Sequence, residues 1–456
     1  MEFLSLPFAI CMALTFVVYY ARQRRGWQHG VLLVSSMSFI GYYHLAYLLV
    51  ALAITVFTFM MGKYLHAVTG TRRAPFVLWG SLSGLVGFWL AARYWSPLFP
   101  IGISFYTFQA LSYLIEIYWE EEPEDDFMDF CLYMLLFMKF LSGPIERGYD
   151  LLPQLKQARK FDYRGVVRGL KLLAWGAFMK LVIADRIAPS LDLVLDHVQR
   201  SSGMQLLTAT LLYPIQLYAD FAGYTCMALG LGRVLGFRLQ PNFNRPFISQ
   251  STGELWRRWH MSLSFWVRDY VFTPLNASLR GMGRWGVYTA LVVTFVTIGV
   301  WHGAGWTFFF YGLFQGMVVI YETAAKQFRQ RQEQLLGPRA WSVMAIMRTY
   351  LLFALSLLFF RVADVRDVLY AYAHLLDGFS FSIKELRLGM TDHYWIVFGI
   401  AVVLMLLGEY LNGRGNVSEW VERQRAVVRW TCYIVLLLII FLYGAFGVEN
   451  FIYIQF

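Results

Sequence analysis

Apolar runs about as long as a lipid bilayer is thick recur along this whole chain, and that repetition limits its possible folds more than any other feature. The runs at 31–61 and 430–446 contain no Asp, Glu, Lys or Arg, and a helix needs about 20 such residues to cross the hydrocarbon core. Hydrophobic residues make up 58% of the 456 positions and charged residues only 15%, with a mean hydropathy of +0.50. An ordinary soluble domain is excluded, and most of the chain is expected to lie in lipid.

Runs able to form spanning helices fall at 3–20, 31–44, 45–62, 76–92, 101–118, 165–187, 204–222, 286–300, 304–325, 342–360, 393–411 and 430–447. The shortest would reach only about 21–24 Å at about 1.5 Å per residue, less than the hydrocarbon core, so some are expected to be re-entrant or broken. The apolar stretch 130–140 is too short to cross and is broken by Ser142-Gly143-Pro144; a second, 261–273, is interrupted by Arg268 and Asp269 and is expected to stop at Pro274. Irregular backbone and charge at membrane depth survive only when buried in protein or facing a wet cavity, so these pieces are expected to wall a central chamber. The expectation is one all-α polytopic membrane domain over residues 1–456, with about 11 to 12 transmembrane helices plus short re-entrant ones.

The formal charge of +10 does not point to nucleic acid, because Lys and Arg gather in short loops at 22–25, 63–73, 156–171, 233–284, 326–339 and 414–429. That distribution places those loops in the cytoplasm. The acidic stretch 120–129 would be outside by its charge and inside by the parity of the spans; carboxylates carry little topological weight. The run 4–20 has no basic residue before it and Arg22, Arg24 and Arg25 after it, so it reads as an uncleaved first span starting outside. Cys11, Cys131, Cys226 and Cys432 stand singly among apolar residues, as buried hydrophobes do, rather than as disulfides or a metal site.

Two histidines fall in unusual company and are the candidates for chemistry. His302 lies in Gly299-Val-Trp-His-Gly-Ala-Gly-Trp, at the end of an apolar helix over 287–300, with Trp301 and Trp306 expected on either side and Gly303 and Gly305 permitting close approach. An imidazole there is suited to take a proton from a hydroxyl, or else is satisfied by a helix–helix hydrogen bond. His260 follows Trp256, Arg257 and Arg258, and that segment's arginines and tryptophans suit either recognition of a phosphate-bearing thioester carrier or a plain interfacial role. Asp220 could pair with an arginine of the next loop, orient a site residue, or cap a helix break at Gly223. His29, His44, His66, His197, His374 and His393 read as interfacial. There is no G-x-S-x-G, Walker A or H-E-x-x-H motif, which disfavours a self-contained serine hydrolase, an ATP-driven pump and a zinc protease, and no metal is expected.

Several landmarks together resemble the membrane-bound O-acyltransferase (MBOAT) family, in particular its bacterial branch of alginate O-acetyltransferases and teichoic acid D-alanyltransferases. They are Gly102-Ile-Ser-Phe-Tyr-Thr-Phe-Gln, Ser142-Gly-Pro-Ile-Glu-Arg, Asp220-Phe-Ala-Gly-Tyr, Asn242-Phe-Asn-Arg-Pro-Phe, Trp256-Arg-Arg-Trp-His-Met-Ser-Leu-Ser, Arg268-Asp-Tyr, Trp301-His-Gly-Ala-Gly-Trp and the terminal Phe451-Ile-Tyr-Ile-Gln-Phe. The resemblance covers most of the chain. It implies a ring of helices around a thinned centre, His302 as the principal catalytic residue and His260 as a second one. The implied activity is transfer of an acyl group, an acetyl group by expectation, from a cytoplasmic thioester such as acetyl-CoA to an extracytoplasmic polysaccharide or partner protein.

The expected donor site comprises Trp256, Arg257, Arg258 and Arg245, supported by Asp220, Asp269, Trp301 and Trp306. No tightly bound cofactor is expected, and the resemblance implies a separate SGNH-type partner outside the bacterial inner membrane. The chain departs from the alginate-type pattern at Ala222, Cys226 and Thr273-Pro-Leu-Asn-Ala, which leaves the acceptor open. D-alanyl transfer from an acidic carrier protein, and a proton-coupled polymer or lipid transporter, are the alternatives.

Overall fold

The computed structural model describes residues 3–95, 102–141, 143–378, 382–415 and 417–447; Ile101, Ser142 and the terminal motif at 451–456 lie outside the described residues. Among the described residues every regular element is helical, and each of the twelve apolar runs forms helix. Six helices are long and apolar enough to cross a membrane: Leu45–Ala67, Ala74–Tyr94, Arg284–His302, Pro338–Arg361, Asp392–Asn412 and Ala426–Tyr443. A seventh span is possible from Trp306–Ala324 and Lys326–Leu336, which meet at a 68° bend. The protein is thus an all-α, multi-pass membrane protein. Its contacts divide into two units, Met1–Trp175 with Tyr224–Pro241, and Gly176–Gly223 with Asn242–Phe456.

In the first unit the stretch after Asp126 forms helix Phe127–Leu135, then the single turn Phe137–Phe140. Phe130, Leu132, Tyr133, Leu135 and Leu136 are fully buried, so this piece enters protein rather than lipid, and Ser36 Oγ accepts a hydrogen bond from the Phe137 amide at 3.1 Å. Asp126 caps the helix by accepting from the Met128 amide at 2.9 Å, as Asp commonly does. Burial pushes its carboxyl up, but the Met128 and Asp129 amides together with Arg25 outweigh it and hold the group below the usual carboxylate range.

Ion pairs tie the acidic stretch to the basic loops. Asp129, fully buried, meets Arg25 at 2.6 Å, Lys156 at 3.1 Å and His29 Nδ1 at 3.1 Å. Glu124 meets Lys156 at 2.5 Å, Asp125 meets Lys63 at 3.2 Å and Glu122 approaches His66 at 3.6 Å. All the cationic partners come from, or lie beside, the basic loops, so 120–129 shares their side, which the charge pattern of the sequence assigns to the cytoplasm. A cysteine replacing Glu122 is therefore expected to react with a membrane-impermeant maleimide in inverted vesicles but not in intact cells; labelling in intact cells would reverse the assignment.

The second unit departs from two sequence expectations. Helix Gly203–Val234 does not end at 222 but runs through 32 residues and into the first unit. Gly223 is no break: a methyl there would press on the Gly176 carbonyl oxygen at 2.8 Å and the Lys180 amide at 3.1 Å, so it is a point of close helix packing. Pro274 likewise does not stop the 261–273 insertion. Met261–Val267 passes through a π-helical turn, Arg268–Phe272, into Thr273–Ser278, where Pro274 occupies the first turn and its missing N–H matters least.

Candidate functional site

The site is built on the hairpin of Arg284–His302 and Trp306–Ala324, joined by three residues. Gly299, Gly312 and Gly316 let the two backbones meet: a methyl on Gly299 would overlap the Phe308 carbonyl oxygen, and one on Gly312 would overlap that of Phe295. In lipid, where apolar surface gives helices no special attraction, such small residues supply the contact through close van der Waals packing.

His302 is the last residue of the first helix and is 3% exposed. Its Nδ1 lies 2.7 Å from the Ile298 carbonyl oxygen. A carbonyl only accepts, so Nδ1 carries the proton, and in the neutral form of the ring the lone pair is at Nε2. Three rings enclose it: Trp301 at 4.5 Å, Phe360 at 5.1 Å and Tyr311 at 6.1 Å, all near edge-on.

His260 is 1% exposed and lies 6.0 Å from the same Trp301 ring, with Phe221 edge-on at 4.7 Å. Its backbone is left-handed, φ +43°, an uncommon conformation for a residue with a side chain. The Asn242 motif holds that turn: the Met261 amide donates to the Asn242 carbonyl at 2.9 Å, and Ser262 Oγ donates to Asn242 Oδ1 at 2.6 Å. Asp220 anchors the other side. Its partner is Lys180, at 2.6 Å, rather than an arginine of the next loop, and Lys180 also binds Asp185 at 2.7 Å. That buried pair fixes the helix on which the next residue, Phe221, meets His260.

The structure therefore gathers His302, His260 and Trp301, with Asp220 next in the chain to Phe221, the ring that meets His260. It disperses the others. Trp306 is 72% exposed and does not flank His302 as expected, because the chain turns at 303–305 and begins a new helix whose first side chain points outward. The Trp256 indole N–H donates to Gln315 at 3.0 Å, and Gln315 in turn donates to Ser356 at 2.7 Å, so this tryptophan is committed to the interior. Arg258 bonds Glu254 at 2.9 Å and the Asn244 carbonyl at 3.1 Å, while Arg257 is exposed. Arg245, in a left-handed conformation, packs its guanidinium over Gly413. Asp269 pairs with neighbouring Arg268 at 2.7 Å.

Tyr311, Phe360, Gln315 and Lys180 escaped the sequence reading. Lys180 had a signal, the one cation in the apolar stretch between Lys171 and Arg186; the aromatic residues had none.

Gly299→Ala is expected to cost about 1–3 kcal/mol or more by overpacking, read as a lower thermal unfolding midpoint in detergent, whereas Gly399→Ala, in open space, should be neutral. Equal midpoints would remove the close-packed hairpin from the account.

Comparison with known proteins reveals consistent likenesses. A family model of membrane-bound O-acyltransferases matches residues 123–363. The probable alginate O-acetylase AlgI of Pseudomonas aeruginosa is 31% identical over 395 residues, covering 81% of this chain and 74% of the relative. The peptidoglycan O-acetyltransferase of Helicobacter pylori is 27% identical, covering 74% and 72%. The teichoic acid D-alanyltransferase of Streptococcus thermophilus is 31% identical over 242 residues, covering 49% and 57%.

Proposed function

The chain belongs to the membrane-bound O-acyltransferase family, and from that premise we propose that it moves an acetyl group from a cytoplasmic thioester to a hydroxyl of a cell-surface polysaccharide. It is an O-acyltransferase; acetyl as the group follows the relatives named as O-acetylases, which align over far more of this chain than the D-alanyltransferase does. The donor we assign is acetyl-CoA, its phosphates near the exposed Arg257 and its chain neighbour Arg258. The acceptor hydroxyl belongs to the polysaccharide or to an extracytoplasmic SGNH-type partner that completes the transfer. The protein is assigned to the bacterial inner membrane.

The observation that carries this reading is the hydrogen bond from His302 Nδ1 to Ile298, which orients the ring with Nε2 basic. As the acceptor oxygen attacks the thioester carbonyl, Nε2 takes its proton and a C–O bond forms. The tetrahedral oxyanion then collapses, the C–S bond breaks, and the departing thiolate receives the proton from the imidazolium, leaving an ester and a free thiol. His260, one indole away, is the group placed to steady the oxyanion. The surrounding rings exclude water that would otherwise hydrolyse the thioester.

His302→Ala, at unchanged membrane abundance, is expected to lower O-acetylation of the surface polymer by about 10²- to 10⁴-fold; unchanged acetyl content would exclude it as the base. Replacing Arg257 and Arg258 together by Ala should weaken coenzyme A binding measured by calorimetry, with the apparent donor KM rising more than kcat falls. Unaltered binding would move the donor site elsewhere.

A further inference from the structure

Away from the histidines, two guanidinium groups converge on a single acceptor. Arg348 Nη2 donates to the Gln250 carbonyl oxygen at 3.0 Å, and Arg329 Nη2 donates to that same oxygen at 3.2 Å. The Glu322 carboxylate lies 3.9 Å from Arg348 but is turned to other work, accepting from the Thr252 amide at 2.8 Å and the Gly253 amide at 3.2 Å. Two like charges sharing one neutral oxygen repel, and an anion bridging them relieves that repulsion.

The surroundings define what kind of anion fits. Arg348 is on the spanning helix Pro338–Arg361 and lies over the Trp341 ring, 5.9 Å from its centroid. Its head therefore reaches back toward the cytoplasmic end of the helix, as arginines near a membrane surface do. Arg329 is on Lys326–Leu336, which bends 68° away from the preceding helix and exposes Phe328 and Leu335. That is the pattern of a helix lying in the membrane interface.

Two apolar grooves meet at Arg348 and Leu352. One, of 730 Å³, runs along Val343, Met344, Met347 and Leu351. The other, of 570 Å³, runs from Tyr321 past Met317 and Phe314 to Phe310 and Phe359. Each is within the range of about 300–1,000 Å³ usual for small-molecule sites.

We propose that this is a binding site for an anionic diacyl phospholipid, with its phosphate between Arg348 and Arg329 and one acyl chain in each groove. A soluble anion would leave both grooves unfilled, and a zwitterionic lipid would bring its own cation to two arginines. The second groove ends at Phe359, the neighbour of Phe360, which packs on His302. The bound chain thus buttresses the wall of the histidine pocket.

Native mass spectrometry of the purified full-length chain, given equal phosphatidylglycerol and phosphatidylcholine, tests the proposal. Phosphatidylglycerol should be retained preferentially. Arg348→Gln and Arg329→Gln should each reduce that preference about fivefold. Val318→Trp, which fills the second groove and leaves both guanidiniums intact, should reduce phosphatidylglycerol retention, and it decides the matter if an arginine variant does not fold. Equal retention of the two lipids, indifference to Val318→Trp, or displacement of phosphatidylglycerol by millimolar inorganic phosphate or coenzyme A would overturn the proposal.

Discussion

An imidazole inside an apolar helix bundle is tolerable only when its nitrogens are directed to particular tasks, and one hydrogen bond sets those tasks here. The Ile298 carbonyl oxygen accepts a hydrogen bond from His302 Nδ1 at 2.7 Å, which keeps the proton on Nδ1 and leaves Nε2 as the basic nitrogen of the neutral ring. That bond needs the last helical turn to stay intact, and the turn depends on Gly299 and Gly312, which bring the returning helix into backbone contact. Trp301, Tyr311 and Phe360 then fill the space around the ring. Fold and chemistry are joined at this point.

Polar groups elsewhere in the same unit serve the second histidine. Asn242 supplies both its carbonyl and its side chain to the turn that begins at His260. Lys180 lies between two carboxylates, Asp220 at 2.6 Å and Asp185 at 2.7 Å, and removing the lysine would strand both in a buried place. The first unit uses ion pairs differently. Asp129 collects Arg25, His29 and Lys156, closing the 120–129 stretch against basic residues near the cytoplasmic surface.

The apolar helices were legible in the sequence because burial in lipid leaves a composition signal that needs no partner to be read, although among the described residues six, rather than 11 to 12, are long and apolar enough to cross a membrane. His302 was legible for the same reason, as a titratable group where apolar residues are the rule. Features set by contacts were less so. Gly223 reads as a helix end until Gly176 and Lys180 are seen against it, and Pro274 reads as a stop until the π-helical turn before it makes it a start. Trp306 looked like a neighbour of His302 by adjacency alone, yet a three-residue turn sends it outward. The acidic stretch could not be grouped with any loop from charge alone, and its ion pairs group it with the basic ones.

The family places the chain among O-acyltransferases, and the orientation of one ring supports the mechanism proposed for it. The most direct test is a cryo-electron microscopy structure with a non-hydrolysable acetyl-CoA analogue bound. The account predicts the analogue's carbonyl group beside His302 Nε2, with a path from the cytoplasmic face. A donor seated elsewhere, with the imidazole enclosed by packed side chains on every side, would contradict it.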